Sequence, residues 1–379
     1  KKHAYTPLIE GIENMGIGII DDEAHKGWSA FYNYLFSKSS IKPKVFNGFN
    51  NDYNRGKLIL TIKDWFDKIN KLEKPIDFFI VDLRLHEDDF IEVVRYIKKI
   101  NPGIQIVVFS ASNKVWNYQK CLKYGVKEYA IKESPETFNS RLETKKTLIH
   151  LSNEIEASSR KIFLADLYRQ TTTLKKENIF TNNTSCNNFN NLVFKNNGIL
   201  DQICNLLMID NENDAIINQC LLLVFHVLEN YCDLPFVGNF SRNGDVSSGF
   251  IWQKDGVQKD IYSSKPNEDL SHFSIVFGFH SFQTNTQKQS PISIKIHDSM
   301  KLDINKSRGT ETTALIKIIS VLYFRESISI DEIEKVLLYR FYRSNVAAHM
   351  TGEIDQNYKI TYNDISFFVS LFYKIFHKN

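Results

Sequence analysis

The sequence predicts an α/β fold followed by a mostly α-helical one, with a doubly wound five-stranded parallel sheet near the amino terminus. Over residues 15–150, short apolar runs rich in β-branched and aromatic residues alternate with amphipathic stretches. Strands separated by helices run parallel and are covered on both faces. After residue 180 helical periodicity dominates, interrupted by strand-like runs that predict a small β insertion at about 237–305.

The first half supplies five predicted strands and the helices between them. The strands are "GIGII", "KPKVF", "IDFFIVD", "IQIVVFS" and "KEYAI". The intervening amphipathic stretches are "EAHKGWSAFYNYLF", "DWFDKINKLEKP", "DDFIEVVRYIKKI" and "NKVWNYQKCLKYG", with the polar segment "NGFNNDYNRGK" predicted as a loop. Ligands of such doubly wound domains gather at the carboxyl ends of the strands.

The remaining segments give the domain plan. We expect an amino-terminal extension at 1–14, the α/β domain at 15–134, a helical connector at 135–180 and a helical domain at 181–379. The Asn-rich stretch "TNNTSCNNFNN" predicts a loop. Asp255-Gly256 between two β-like runs predicts a type I′ hairpin within the insertion.

Composition narrows the class of protein. The chain has 379 residues and a net charge of +3, so no global field favours a nucleic-acid or membrane partner. Five scattered cysteines, none in a metal-ligand spacing, indicate reduced thiols and a cytoplasmic location. The start lacks the apolar segment of a signal peptide, and the apolar runs are shorter than a bilayer span.

Polar residues follow four of the predicted strands. Asp21 and Asp22 close the first strand, Asp82 the third, Ser110 the fourth and Lys132 the fifth. Parallel strands bring these ends to one edge of the sheet, and three carboxylates in one pocket are costly without a cation. Mg²⁺ suits such oxygen ligands, and the lysine ammonium would pair with Asp82 or with a phosphoryl group on it.

In order and spacing these residues resemble the receiver domain of two-component response regulators, as does the run "YGVKEYAIKES". The resemblance implies that Asp82 accepts a phosphoryl group from a histidine kinase or phosphotransfer protein. It implies Mg²⁺ ligands in the acidic pair, Asp82 and the backbone carbonyl of Arg84. Ser110 and Tyr129 match the switch positions, and Lys132 is followed by Glu133 where proline is commonest.

A second constellation lies in "LLYRFYRSNVAAHMTG" near the carboxyl terminus. Asn345 and His349 are four residues apart and share a helix face, and Arg343 lies six residues before His349. Histidine has a pKa suited to general acid or base chemistry near neutrality, and arginine can stabilise a charged phosphorane. A helix end with a capping histidine and a solvated arginine would have the same residues.

This segment resembles the R-x(4–6)-H motif of HEPN domains, which are helical, usually dimerise and often act as metal-independent ribonucleases. The resemblance covers residues 160–235 and 309–379, and it implies Arg343, Asn345 and His349 as the catalytic set. The shorter and commoner form of the motif would place the arginine at Ser344, so only the longer spacing fits. HEPN toxins recur in prokaryotic defence, which implies an antiviral or stress role.

Three functions follow for the whole chain. The first is a dimeric response regulator in which phosphorylation of Asp82 controls a ribonuclease that acts on RNA. The second is a phosphorylation-dependent adaptor with a non-catalytic HEPN-like domain. The third, a DNA-binding transcriptional regulator, fits poorly because the second half lacks a short basic helix-turn-helix.

Overall fold

The computed structural model describes a defined part of the chain. This part comprises residues 15–47, 55–72, 74–85, 88–89, 91–110, 119, 121–126, 128–132, 141–176, 184–234, 236–241, 248–254, 257–263, 272–279, 292–295, 310–323, 327–343 and 359–376. The chain divides into two compact units, residues 1–169 and residues 170–379. The division therefore falls within the segment 135–180 that was predicted as a connector.

Unit 1 is an α/β unit. Its strands are β1 (Ile17–Ile20), β2 (Lys44–Val45), β3 (Phe78–Val81), β4 (Arg84–Leu85), β5 (Asp88–Asp89), β6 (Gln105–Ser110) and β7 (Glu128–Ile131). Its helices are α1 (Trp28–Leu35), α2 (Arg55–Ile69), α3 (Ile91–Ile100), α4 (Arg141–Ser159) and α5 (Phe163–Lys176), the last of which contains the division between the units.

The main sheet of unit 1 confirms the predicted doubly wound fold. Five strands pair in parallel in the order β2-β1-β3-β6-β7, and β4 and β5 form a separate antiparallel pair. This order is the flavodoxin-like arrangement. The residues of β1, β3 and β6 are all buried, as expected for strands covered on both faces. Gly18 fits here because a Cβ would meet the Phe79 ring at 2.2 Å.

Helices cover the two faces of this sheet with separate apolar clusters. On one face α1 and α4 contribute Trp28, Phe31, Leu148 and Leu151 to a cluster that includes strand residues such as Phe109. On the other face the cluster takes side chains from α2 and α3, such as Phe66 and Val94. The helix α4 thus completes the layer, although its sequence lies in the predicted connector.

Two helix predictions in unit 1 need correction, and a third falls mostly outside the described residues. The helix predicted from Asp64 begins at Arg55 and includes part of the predicted polar loop. The helix predicted from Asp88 begins at Ile91, because Asp88 and Asp89 pair with β4 as a short strand. Most of the predicted helix 113–125 lies outside the described residues.

The beginning of α5 is anchored to the loop before β6. The Asn101 side chain is buried, donates from Nδ2 to the Ala165 carbonyl at 2.9 Å and accepts from the Gly103 amide at 2.9 Å. A Cβ at Gly103 would lie 2.2 Å from the Leu164 carbonyl oxygen, so glycine permits this close approach. Further along α5, Arg169 forms an ion pair with Asp77, whose other oxygen accepts from the Gly16 amide at 3.0 Å.

Unit 2 combines helices with an antiparallel sheet. The helices are α6 (Thr184–Val193), α7 (Ile199–Ile209), α8 (Asp214–Asp233), α9 (Thr310–Tyr323), α10 (Ile330–Tyr342) and α11 (Tyr362–Phe376). The strands are β8 (Phe236–Ser241), β9 (Ser248–Lys254), β10 (Val257–Ser263), β11 (His272–Phe279) and β12 (Ile292–Lys295), in the order β12-β11-β10-β9-β8. The β insertion is confirmed, and Lys254 pairs with Val257 across the predicted two-residue hairpin loop.

The helix α8 is central to unit 2. It packs against α6, α7, α9 and α11, and it buries nine side chains, including Phe225 and Tyr231. Among the described residues it is long and apolar enough to cross a membrane by length and composition alone. Half of that window is buried within the unit, as in the core helix of a globular unit, so this feature is only weakly indicative of a span.

The loop prediction for residues 181–191 is wrong in its described part. Residues 184–193 form α6, which buries Phe189 and Val193. The Phe189 ring lies 5.9 Å from the rings of Tyr231 and Phe376. Burial of two apolar side chains at helical spacing outweighs the low helix propensity of the asparagines.

We expect Asn101→Ala to loosen residues 141–169 from the sheet. The change removes two hydrogen bonds and leaves the buried Gly103 amide without its side-chain acceptor, which costs roughly 1–3 kcal/mol. Hydrogen exchange measured by mass spectrometry should therefore be roughly tenfold faster in peptides from this segment. Asn33→Ala, at an exposed position of α1, is the matched control and should leave exchange unchanged. Equal exchange in the two variants would contradict the assigned anchor.

Candidate functional site

The ends of four neighbouring strands place the predicted residues at one edge of the sheet. Asp21 follows β1, Asp82 follows β3, Ser110 is the last residue of β6 and Lys132 follows β7. The parallel ladder continues past the strands: the Asp82 amide donates to the Ile20 carbonyl and the Lys132 amide to the Ser110 carbonyl, both at 2.8 Å. Backbone hydrogen bonds therefore fix the Cα positions from which these side chains extend.

A buried ammonium joins two of the carboxylates. The Lys132 Nζ lies 2.8 Å from Asp21 Oδ1 and 2.5 Å from Asp82 Oδ2. All three side chains are almost completely buried. The ammonium also lies 5.4 Å from the centre of the Trp28 ring and 5.5 Å from that of Phe109, which favours the charged form.

The charge of Lys132 depends on these neighbours. Burial alone would lower its pKa, but the charges of Asp82 and Asp21 and their hydrogen bonds outweigh burial and raise it. Lys132 therefore stays protonated and acts as a fixed positive charge between two carboxylates.

Asp22 is the least satisfied member of the acidic cluster, which we define as Asp21, Asp22 and Asp82. One oxygen from each of the three carboxylates lies within 4.8 Å of the others. The Asp22 Oδ1 atom is buried and has no hydrogen-bond partner among the described residues. Burial, then repulsion from Asp82 and Asp21, raises the pKa of Asp22 to about 6.

These features fit a divalent cation with a preference for oxygen ligands. Three carboxylates and one ammonium carry a formal charge of −2, and an unpartnered buried carboxylate oxygen is a costly arrangement. Mg²⁺ binds through one or two carboxylates and keeps water and phosphate in its other positions. The donor set of the acidic cluster therefore suits Mg²⁺.

Tyr32 belongs to the same network, although the sequence analysis did not identify it. Its hydroxyl donates to Asp21 Oδ2 at 2.6 Å, while the Glu23 amide donates to Asp21 Oδ1 at 3.0 Å. Burial, together with the charge of Asp21, raises the pKa of Tyr32 well above its usual value. Only its place on the buried face of α1, four residues after Trp28, could have pointed to it.

The other residues implied by the receiver resemblance lie near this edge of the fold. Ser110 is completely buried. Tyr129 lies in β7, is partly buried against the core cluster shared by α2 and α3, and its carbonyl oxygen lies 3.3 Å from His150 Nε2. Arg84 is the first residue of β4 and pairs with Asp89.

Comparison with known proteins finds similar solved structures but no matching family. No protein-family model matches the chain, and no curated protein matches it. Among solved structures, the chain is similar to the beryllofluoride-activated NtrC4 receiver domain dimer, with 20% identity and a TM-score of 0.24. The alignment covers 36% of this chain and 97% of that one. We therefore assign the fold of unit 1 from its strand order and register alone, because a TM-score this low carries no argument.

In unit 2 the structure describes one of the three predicted catalytic residues. Arg343 caps the end of α10, and its guanidinium lies 3.3 Å from Glu229 Oε2 on α8. Arg340, one turn earlier, approaches Glu229 Oε1 at 3.6 Å. Asn345 and His349 lie outside the described residues.

Glu229 is a contact that the sequence analysis missed. It stands in the apolar run "LVFHVLENYC" of a helix with a largely buried face. A carboxylate in such a run needs a cationic partner, and this is the signal that could have found it. With two guanidinium groups around one carboxylate, the cluster of Glu229, Arg340 and Arg343 has a formal charge of +1.

We expect Asp22→Asn to stabilise the protein at pH 7 when divalent cations are removed. Because the pKa of folded Asp22 is raised to about 6 from 3.8, its protonated form is favoured in the folded state. The folded state then holds more protons than the unfolded state between these two values, so stability falls as the pH rises through about 6. The full shift corresponds to about 3 kcal/mol, which solvent screening of this half-buried group reduces to about 1 kcal/mol.

Urea unfolding at pH 4 and pH 7 measures this effect. The advantage of Asp22→Asn over the natural protein should be present at pH 7 and small at pH 4. Asp64→Asn, at an exposed position of α2, is the control and should match the natural protein at both values. An Asp22→Asn protein that is no more stable at pH 7 would refute the combined cost of burial and repulsion assigned to ionised Asp22.

Proposed function

We propose that unit 1 is a phosphoryl-accepting receiver domain and that the chain is a response regulator with Asp82 as the phosphoacceptor. The observation that carries this proposal is the buried Lys132 ammonium, held between Asp21 and Asp82. Beside it lies an Asp22 oxygen to which no described residue donates a hydrogen bond. An ion pair that served stability alone would not need the third carboxylate, which is costly at this position.

Each residue has a distinct role in this proposal. A carboxylate oxygen of Asp82 attacks phosphorus, the bond from phosphorus to the histidine nitrogen of the donor breaks, and an acyl phosphate forms on Asp82. Lys132 supplies a positive charge to the phosphoryl oxygens as it does to the free carboxylate. The acidic cluster, with the Arg84 carbonyl implied by the resemblance, would hold Mg²⁺, which neutralises phosphoryl charge when bound.

The switch and the partners follow from the same proposal. Ser110, buried at the end of β6, and Tyr129, on the neighbouring strand β7, would respond to the phosphoryl group. A histidine kinase or phosphotransfer protein in the cytoplasm would be the donor. Phosphorylation would alter a homodimer of the chain and thereby the activity of unit 2, with no membrane involved.

We expect the full chain to take up one phosphoryl group from a small phosphodonor such as acetyl phosphate when Mg²⁺ is present. Intact-mass spectrometry should show one addition, which EDTA abolishes because the acidic cluster then lacks its cation. Asp82→Asn removes the attacking oxygen and should abolish the addition, whereas Asp64→Asn should not. Uptake that persists at the same level in Asp82→Asn would exclude this residue as the acceptor.

For unit 2 we propose a metal-independent ribonuclease of the HEPN type, with Arg343, Asn345 and His349 as the catalytic set. The observation that favours it is the pair of guanidinium groups at the end of α10, which Glu229 contacts from the neighbouring helix α8. Guanidinium groups held in this way suit the recognition of a phosphate of RNA. The alternative is a non-catalytic adaptor, which the misfit of the shorter motif supports.

An RNA cleavage assay distinguishes the ribonuclease from the adaptor as the function of unit 2. We expect the phosphorylated chain to cleave RNA after EDTA is added, because no metal takes part. His349→Ala should abolish cleavage, and Arg343→Ala should lower its rate roughly 100-fold, as for the loss of one transition-state donor. His226→Ala, at an exposed position of α8, is the matched control and should cleave normally. No cleavage by the phosphorylated dimer would favour the adaptor.

A further inference from the structure

We propose that Tyr32 is a positioning residue that acts through Asp21 and weakens the affinity of the acidic cluster for Mg²⁺. This inference rests on the proposed function, because it concerns the same cation site. It adds a residue from α1, outside the strand ends, to the groups that set how tightly the site binds its metal.

The Asp21 carboxylate is fully engaged by donors. Its Oδ1 atom accepts from the Lys132 ammonium and the Glu23 amide, and its Oδ2 atom accepts from the Tyr32 hydroxyl. The tyrosine contact is the shorter of the side-chain contacts, 2.6 Å against 2.8 Å for the lysine. Hydrogen bonds to a charged acceptor are strong, and each draws negative charge away from it.

Asp22 is the opposite case within the same cluster. It is half-buried, and its buried Oδ1 atom lacks a hydrogen-bond partner among the described residues. The adjacent carboxylates of Asp21 and Asp22 therefore differ in how many hydrogen-bond donors the described residues supply to them. The Tyr32 hydroxyl is responsible for part of that difference, since it occupies the oxygen of Asp21 that neither Lys132 nor the backbone reaches.

The surroundings keep Tyr32 in this role. Its side chain is 1% exposed, and its ring packs at 6.3 Å from that of Trp28 and 5.9 Å from that of Phe31. The ring cannot swing into water, so the hydroxyl stays directed at Asp21 as a donor. Tyr32 and a cation thus compete for the charge of Asp21.

Loss of the hydroxyl has a defined consequence. In Tyr32→Phe the Asp21 Oδ2 atom stays buried without its donor, and the negative charge of the cluster is less compensated. A cation relieves both costs, so Mg²⁺ should bind more tightly. We expect roughly a fivefold lower dissociation constant, corresponding to one hydrogen bond of ordinary net strength.

The experiment titrates the full chain with Mg²⁺ alone and follows binding by calorimetry. Tyr34→Phe is the matched control, because residues two apart on a helix do not share a face. A merely structural role of Tyr32 would lower thermal stability without changing the Mg²⁺ affinity. Unchanged or weaker Mg²⁺ binding by Tyr32→Phe would therefore overturn the inference.

A double-mutant cycle with Asp21→Asn tests whether Tyr32 acts through Asp21. The effect of Tyr32→Phe on Mg²⁺ affinity should vanish in the Asp21→Asn background, and an undiminished effect there would overturn the inference. If Tyr32→Phe does not fold, a fluorinated tyrosine at this position keeps the ring and donates more strongly. Its Mg²⁺ affinity should then be lower than that of the natural protein, and a higher affinity would overturn the inference.

The two proposals fail in different ways. Natural protein that binds no Mg²⁺ under these conditions overturns the proposed function of unit 1. Natural protein that binds Mg²⁺ with an affinity equal to that of Tyr32→Phe overturns only the role of Tyr32.

Discussion

The arrangement of strand ends in unit 1 depends on the ion pairs of the buried Lys132 ammonium. An isolated charge inside a protein is too costly to persist, and Asp21 and Asp82 make this one stable at 2.8 and 2.5 Å. The dependence is mutual, because two buried carboxylates would repel one another without the ammonium. The parallel ladder makes the pairing possible, since it brings residues 111 positions apart in the chain to one edge.

The ion pairs of Lys132 leave a surplus of negative charge among the three carboxylates. Lys132 can neutralise only one of the two carboxylates that it contacts, and Asp22 adds a third beside them. Burial, together with this repulsion, raises the pKa of Asp22, and its Oδ1 atom has no hydrogen-bond partner within the described ranges. Such unrelieved repulsion lowers stability, and it persists in proteins where a ligand relieves it. The two positive charges of Mg²⁺ would offset the formal charge of −2 that the three carboxylates and the ammonium carry.

The sequence predicts this edge well because of the geometry of parallel sheets. Each strand is a short buried run, and the residue after it must lie at the same edge as its neighbours, so Asp21, Asp82 and Lys132 could be placed together in advance. The sequence could at most have marked Tyr32 and Glu229 as candidates and not given their partners, because helix packing decides which side chains reach a site from a neighbouring element. The helix α6 was missed for a related reason: burial of Phe189 and Val193 overrides the loop preference of an Asn-rich segment. The start of α2 was placed too late for another reason, since Leu58 and Ile62 already belong to its buried face at helical spacing but precede the predicted start at Asp64.

The two units use opposite charge arrangements to a similar end. In unit 1 carboxylates surround one ammonium and leave a surplus of negative charge, which suits a cation and, with it, a phosphoryl group. In unit 2 the Arg340 and Arg343 guanidinium groups share one carboxylate, Glu229. Glu229 orients the two arginines, and a charged group of fixed orientation binds a phosphate with less loss of side-chain entropy. A solvated helix end would have no need of a carboxylate on a neighbouring apolar helix, so the ion pair with Glu229 distinguishes Arg343 from a residue of an ordinary exposed helix terminus.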